Sequence, residues 1–122
     1  MSTQADLTTA VLAGLTAASV NPLTLQQISN TTPTTDYTEV TVSRRFGAAE
    51  RVAGNAATVG WRITTRVVLR YAANAAEFRE RIAGALEGVA LGDSTPCRFE
   101  TENEVEPDNG WWSGITSWTT QT

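Results

Sequence analysis

The chain has no histidine and no lysine, and it has only one cysteine and one methionine. The lack of histidine removes the most common general base, the most common metal ligand and the usual partner of a serine or cysteine nucleophile. We therefore expect a protein that is not an enzyme and that has no cofactor and no metal site. All nine basic residues are arginine, and the net charge is −4. An acidic chain of this kind offers no broad positive surface to duplex DNA.

Long apolar runs and export signals are also missing. No apolar stretch approaches the roughly 18 residues that a membrane span needs, so no membrane association is expected. The first six residues, up to Asp6, contain no basic side chain, which argues against a secretory signal. Cys97 has no second cysteine to pair with, which is compatible with a reducing compartment. A length of 122 residues predicts a single domain, residues 1–122.

Hydrophobic periodicity predicts two helices and four strands. Apolar residues recur at helical spacing over 3–18 and over 74–88. Alternating patterns predict strands over 37–46, 59–72, 95–106 and 111–120. The order α-β-β-α-β-β predicts an α+β fold, with a mainly antiparallel four-stranded sheet and helices packed on one face. In that fold, the stripe of the second helix packs on one strand face: Phe78, Ile82 and Leu86 against Trp61, Ile63, Val67 and Leu69.

Local signals mark the ends of these elements. Asn74, with Glu77 three residues on, predicts a capping box at the start of the second helix, and Gly88 is placed to end it. The polar segment Gln26–Asp36 predicts a long loop with at most one short turn. The segment Gly47–Thr58 predicts a second loop that is mobile in the isolated subunit, because Val52 is its only sizeable apolar residue.

The last third of the chain predicts a hairpin that carries three of the four tryptophans. Asp108-Asn109-Gly110 predicts a tight turn between two alternating runs. Trp111 and Trp112 are neighbours on a strand, so they face opposite sides of the sheet and only one easily enters the core. Trp118 shares a face with Trp112 and is expected in the core. Trp111 is then either shielded at an edge or buried by a partner, since interfaces favour tryptophan.

Charged side chains line two of the predicted strands. Arg62, Arg66 and Arg70 share one strand face, and a second strand has a row that begins at Arg98 and continues with Glu100, Glu102 and Glu104. Three interpretations stay open: a solvated outer face, faces that meet within the sheet, or faces that meet between subunits. If they meet between subunits, Arg66→Glu should weaken association, and Glu102→Arg should partly restore it.

Chemical roles for the acidic residues have less support. The spacing of Glu100, Glu102 and Glu104 is near that of inverting glycosidase carboxylates, but a uniform row on a hairpin forms no cleft. The acidic run at Glu104, Glu106 and Asp108 resembles a calcium loop only loosely, because the closing bidentate glutamate is missing.

The glycine-containing segment 47–54 lacks the Gly-Lys-Ser/Thr ending of a phosphate loop. Cys97 is expected to be a small core residue rather than a nucleophile.

The sequence resembles one family. The strand Gly60-Trp-Arg-Ile-Thr-Thr-Arg-Val-Val68, the helix after it and the closing motif Pro107-Asp-Asn-Gly-Trp-Trp-Ser-Gly-Ile-Thr-Ser-Trp-Thr119 are similar to tail-terminator proteins of long-tailed phages of high-GC, actinobacterial hosts. The resemblance covers the chain best from Tyr37 onward.

The resemblance implies a virion protein that forms a homohexameric ring at the head-proximal end of the tail. Such a ring caps the tail tube, stops its polymerisation and provides the surface for the head. The implied partners are other copies of the chain, the tail-tube protein and a head-completion or neck protein, with genomic DNA passing through the ring unbound. Candidate interface residues are Arg62, Arg66, Arg70, Glu100, Glu102, Glu104 and Trp111. The alternatives are another ring-forming head–tail completion or tail-tube protein, or a small α+β binding module.

Overall fold

A computed structural model describes residues 4–45, 50–52 and 56–122. Two of the helices match the predicted ones closely, and a short third helix lies between them. The elements in chain order are α1 Gln4–Ala17, β1 Pro22–Leu23, α2 Leu25–Asn30, β2 Tyr37–Arg44, β3 Glu50–Val52, β4 Ala56–Thr58, β5 Gly60–Leu69, a 3₁₀ turn Ala72–Asn74, α3 Ala75–Leu86, β6 Arg98–Glu102, β7 Glu106–Asp108 and β8 Trp111–Gln121.

The main sheet is mixed and has six strands, so the α+β class is right but the four-stranded antiparallel sheet is wrong. The strand order is β1-β2-β5-β8-β6, and β7 also pairs with β8. The extra strand at one edge, β1, runs parallel to β2. Asn21, with a φ of 48°, turns the chain back after α1, and its carbonyl accepts a hydrogen bond from the Thr38 amide. A strand of two residues is too short to show the alternating pattern by which the other strands were predicted.

The predicted strand 95–106 is divided into β6 and β7. A register shift between Phe99 and Thr101 leaves Glu100 as an extra residue in the ladder. Asn103 then bonds to Ile115 twice: its amide donates to the Ile115 carbonyl at 3.0 Å, and its side-chain oxygen accepts from the Ile115 amide at 2.6 Å. The pairing with β8 resumes at Glu106, opposite Ser113. The bulge, and the side-chain bond that takes the Ile115 amide from the backbone ladder, therefore interrupt the predicted strand.

The loop predicted over Gly47–Thr58 is partly a strand pair. Its described residues form a separate two-stranded antiparallel ladder, β3 with β4. The remainder of that segment, and the prediction that it is mobile, lie outside the described residues. The other predicted loop, 26–36, begins inside α2, which starts at a capping box between Thr24 and Gln27.

The core lies between one face of the sheet and the helices α1 and α3. The α1 stripe of Leu7, Val11 and Leu15 is fully buried. From α3, Ile82 and Leu86 are buried and Phe78 is partly buried, in one cluster with Trp61, Ile63, Val67 and Leu69. The predicted packing of the second helix on this strand is therefore confirmed. Trp118 and Cys97 are also in the core, as expected. None of the described helices is long and apolar enough to cross a membrane.

The start of α3 differs from the prediction. Asn74 occupies the N-cap position, but its side chain makes no capping hydrogen bond. It donates instead to the carboxylate of Asp36, at 3.1 Å, and a 3₁₀ turn leads into the helix. Asp36 also accepts from the Arg70 amide, so it ties the segment before β2 to the end of β5. A tertiary contact has replaced the local cap. At the other end, the helix stops before Gly88, whose φ is 71°.

The terminal hairpin has the predicted turn. Asp108 pairs with Trp111, so Asn109 and Gly110 form a two-residue connection. Their φ values are 51° and 84°, and the I′ type of hairpin turn requires positive φ at both central residues. Asparagine and glycine are the residues that adopt this conformation at least cost.

Candidate interaction surface

The face of the sheet opposite α1 and α3, which we call the outer face, carries the charged side chains of β5. The antiparallel register sets Arg66 opposite both Glu39 of β2 and Ile115 of β8, and sets Arg62 opposite Thr119 of β8. Alternation along β5 sends Trp61, Ile63 and Val67 into the core, so Arg62 and Arg66 project the other way.

Arg62 makes a two-pronged contact with Glu100. Its Nε and Nη2 atoms donate to the two carboxylate oxygens at 2.7 and 3.1 Å. This contact lowers the pKa of Glu100, and the positive charge of Arg45 adds to the effect. The hydrogen bond to Glu100 likewise raises the pKa of Arg62. The contact joins β5 and β6 across the intervening β8, and the bulge at Glu100 aims the carboxylate toward Arg62.

Arg66 holds two carboxylates from different strands. It donates to Glu39 at 3.3 Å and to Asp108, and it lies 3.5 Å from the Ser113 hydroxyl, which itself donates to Asp108. This cluster of Arg66, Glu39, Asp108 and Ser113 therefore links β2, β5, β7 and β8 on the outer face. The Arg66 side chain retains 33% of its exposure and Glu39 retains 18%, so the cluster is half-buried.

Arg70 and Trp111 contact each other at the end of β5. The guanidinium lies 4.8 Å from the centre of the indole ring, a cation–π contact. Trp111 also meets Tyr37 edge to face, with ring centres 6.4 Å apart. Burial raises the pKa of Tyr37, and the nearby Glu39 adds to the shift. Trp111 is thus partly shielded within its own chain, and its further burial by a partner stays a prediction.

The predicted row of glutamates does not share one face. The bulge turns Glu100 toward Arg62 on the outer face, whereas Glu102 pairs with Thr116, whose hydroxyl donates to it at 3.0 Å. Thr116 is buried, and Arg79 of α3 lies 3.8 Å from Glu102, so Glu102 faces the helix side. Glu104 follows β6 and is exposed. A single inserted residue reverses the alternation that the prediction relied on.

Two of the predicted arginines therefore find their acidic partners within the sheet. Arg62 and Arg66 are paired inside the chain, and Arg66 does not meet Glu102 there. A role for these residues at a subunit boundary stays a prediction. Among the described residues, no group of three or more histidine, cysteine, aspartate or glutamate side chains could hold a metal ion. Burial raises the pKa of the Cys97 thiol, which disfavours the nucleophilic thiolate.

The sequence analysis did not predict that two of the arginines lie together. Arg45 and Arg98 line a recess of about 380 Å³ where four strands end, together with Thr95, Thr119 and Gln121. The sequence places these two arginines 53 positions apart, and only the register of β2, β5, β8 and β6 brings them together. Arg98 was interpreted as the first member of the glutamate row, and Arg45 was placed within the predicted strand 37–46 without a role of its own.

Comparison with known proteins identifies the fold. No protein-family model matches the chain, and no curated protein matches its sequence. A chain in a solved structure titled "Virion of native gene transfer agent (GTA) particle" is similar in structure, with a TM-score of 0.68 and 14% sequence identity. The match covers 94% of this chain and 92% of that chain. At this level of identity, the likeness establishes a shared fold over nearly the whole length of both chains.

Proposed function

We propose that this chain is a structural protein of a phage-like virion and, more specifically, a ring-forming tail terminator rather than an enzyme. The observation that carries the proposal is the fold shared with a chain of a gene transfer agent virion over 94% of this sequence. The sequence resemblance of Gly60–Val68 and of the closing motif to tail terminators supports the finer assignment. The structural likeness covers nearly the whole chain, and the motifs that carry the sequence resemblance lie within it.

The surface chemistry supports assembly as the mode of action. A ring needs two different, complementary patches on each subunit, because a head-to-tail interface joins unlike surfaces. The outer face offers Arg70 and Trp111, and the edge beside β8 offers exposed carboxylates such as Glu104. The net charge of −4 suits a passage through which DNA moves without binding.

In this proposal, copies of the chain form a homohexameric ring at the head-proximal end of the tail. The ring stops elongation of the tail tube and provides the contact surface for a head-completion or neck protein. The second candidate is another ring-forming head–tail completion or tail-tube protein, which the shared virion fold supports equally well. A small α+β binding module is the third.

Electron microscopy of lysates that lack the gene separates these candidates. A missing terminator leaves filled heads beside unjoined or overlong tails, and the gene supplied in trans restores whole particles. Absence of any tails would assign the chain to the tube instead. Tails of normal length beside heads that have lost their DNA would assign it to head completion. Normal particles in the deletion lysate would rule out all of these virion roles.

A further inference from the structure

The recess that contains Arg45 and Arg98 has the side chains of a site that binds carboxylates. Neither guanidinium has a hydrogen bond or an ion pair within 4 Å among the residues that the structure describes, and Arg45 acts on Glu100 only from farther away. Glu100 is the nearby carboxylate, but Arg62 already occupies both of its oxygens. The planar guanidinium group of arginine binds a carboxylate with two parallel hydrogen bonds. The two guanidinium groups of this recess can therefore bind more than one carboxylate.

The walls of the recess are fixed by hydrogen bonds. The Thr95 hydroxyl accepts from the Gln121 amide at 3.0 Å, and the Thr95 carbonyl accepts from the Thr120 hydroxyl at 2.6 Å. The amide of Arg45 donates to Gly60, which lies opposite Gln121 in the sheet. The backbone around both arginines is therefore held by the sheet itself, and an incoming group would not have to order it.

Exposed carboxylates lie farther along the same sheet edge. Glu104 and Glu106 are exposed, and neither has a partner among the described residues. Glu106 pairs with Ser113, whereas Arg98 pairs with Thr119, six residues along β8. At about 3.3 Å per residue, Glu106 is about 20 Å from Arg98 in its own chain. Asn103, the neighbour of Glu104, bonds to Ile115, which is four residues and about 13 Å from Thr119, so both carboxylates lie away from the recess of their own copy.

We infer that the recess of one copy, at Arg45 and Arg98, receives the Glu104 and Glu106 carboxylates of a second copy in a head-to-tail contact. This inference rests on the proposed ring and names the surfaces that would close it. The two surfaces differ and lie apart on one subunit, as a head-to-tail interface requires. The contact is polar and exposed at its rim, so it sets register and association rate and weakens as ionic strength rises.

Thiol cross-linking tests the contact directly. In a Cys97→Ala background that is checked for folding by circular dichroism, Arg98→Cys protein is mixed with Glu104→Cys protein and a short bismaleimide cross-linker, which spans the length of the two side chains it replaces. We expect a cross-linked heterodimer well above the level from the matched control, Glu80→Cys, an exposed acidic position on α3. A heterodimer no more abundant than in the Glu80→Cys control would overturn the inference.

A chain with both cysteines tests the head-to-tail geometry. Because a cross-linker shorter than the separation of the two positions cannot bridge them within one chain, each link must join two copies. We expect a ladder of oligomers that ends in a closed species. A product that stops at a doubly linked dimer would mean that the contact is two-fold, and the head-to-tail inference would be wrong.

Charge reversal with sedimentation separates this inference from the proposed function. Arg98→Glu should weaken self-association about tenfold or more, and adding Glu104→Arg should recover much of it. If the wild-type protein forms a ring and Arg98→Glu leaves its association unchanged, the inference fails while the proposed function stands. If duplex DNA binds to the wild-type protein, and Arg98→Glu abolishes this binding without affecting self-association, the recess serves phosphate and the inference fails.

Discussion

The guanidinium of Arg79 crosses directly over the Cα of Gly114, so that a methyl group added at Gly114 would overlap Nη2 of that arginine. Arg79 comes from α3, and Gly114 lies in β8, on the side of the sheet that faces the helices. From this position Nη2 donates to the Asn103 carbonyl at 2.6 Å. The contact anchors the connection between β6 and β7, and it explains the glycine within the closing tryptophan motif.

We expect Gly114→Ala to destabilise the fold by about 1–3 kcal/mol, because the new methyl group forces Arg79 from its site and crowds Val105. Chemical denaturation measures the loss. The matched control is Gly84→Ala in the interior of α3, where nothing lies within 4 Å of the added methyl group. That change should stabilise the protein by up to about 1 kcal/mol. If Gly114→Ala costs as much in an Arg79→Ala background, Arg79 is not the cause.

Core packing at α3 gives a second prediction. Leu86 is fully buried against the sheet, so Leu86→Ala should lower the free energy of unfolding by about 2–5 kcal/mol. Leu25→Ala is the comparison, because Leu25 is 56% exposed, and its change should stay within about 0.5 kcal/mol. Urea titration of both variants checks the difference. Equal losses would mean that α3 does not cover the sheet as described.

The Arg66 cluster gives a third prediction. Arg66→Glu places a third carboxylate beside Glu39 and Asp108 and removes their shared donor, so we expect a loss of about 1–3 kcal/mol in unfolding free energy. Adding Glu39→Arg should recover part of the loss, because the two residues are direct neighbours across β2 and β5.

The control for this cluster is Glu102→Arg, which should recover nothing within a monomer because Glu102 contacts Thr116 and Arg79 instead. Denaturation of dilute protein measures stability, and sedimentation measures association separately. A loss of association without any loss of monomer stability would return Arg66 to the role of a subunit contact.

Much of the fold could be predicted from the sequence, since the long elements obey simple periods. The alternation in 60–69, the stripes of α1 and α3 and the Asn-Gly turn are local signals that the packed structure preserves. Features that depend on distant partners were missed. Glu100 enters a bulge because of its neighbours on β8, and Asn74 binds Asp36 rather than its own helix.

The candidate surface was predictable only in part, for the same reason. The segregated arginines and glutamates left open whether the charged rows are solvated or meet, and Arg62 does bind Glu100 within the sheet. The bulge decides which glutamate is available, and alternation cannot reveal an inserted residue. The recess at Arg45 and Arg98 arises from the alignment of four strand ends, and strand order is not visible in a local pattern.

The pKa of Tyr37 gives a fourth prediction. Burial raises this pKa above its ordinary value of about 10, so the folded state favours the neutral phenol. The folded protein therefore keeps its full stability below that ordinary value and loses part of it as the pH rises through the raised pKa.

A Tyr71→Phe variant isolates the effect, because it leaves Tyr37 as the only tyrosine. Ultraviolet absorbance during alkaline titration then reports the ionisation of Tyr37, and it should occur at higher pH than in the unfolded chain. Adding Tyr37→Phe should remove this part of the alkaline loss of stability. Titration at the unfolded value would show that the ring beside Trp111 is fully solvated.

The position of the chain in the particle tests the central claim most directly. Gold-labelled antibody against this protein is applied to purified particles from the phage or prophage that encodes it, and the particles are imaged by electron microscopy. We expect label at one place on each particle, the junction between head and tail, with none along the tube. Label repeated along the tail, or particles that carry none of the protein, would contradict it.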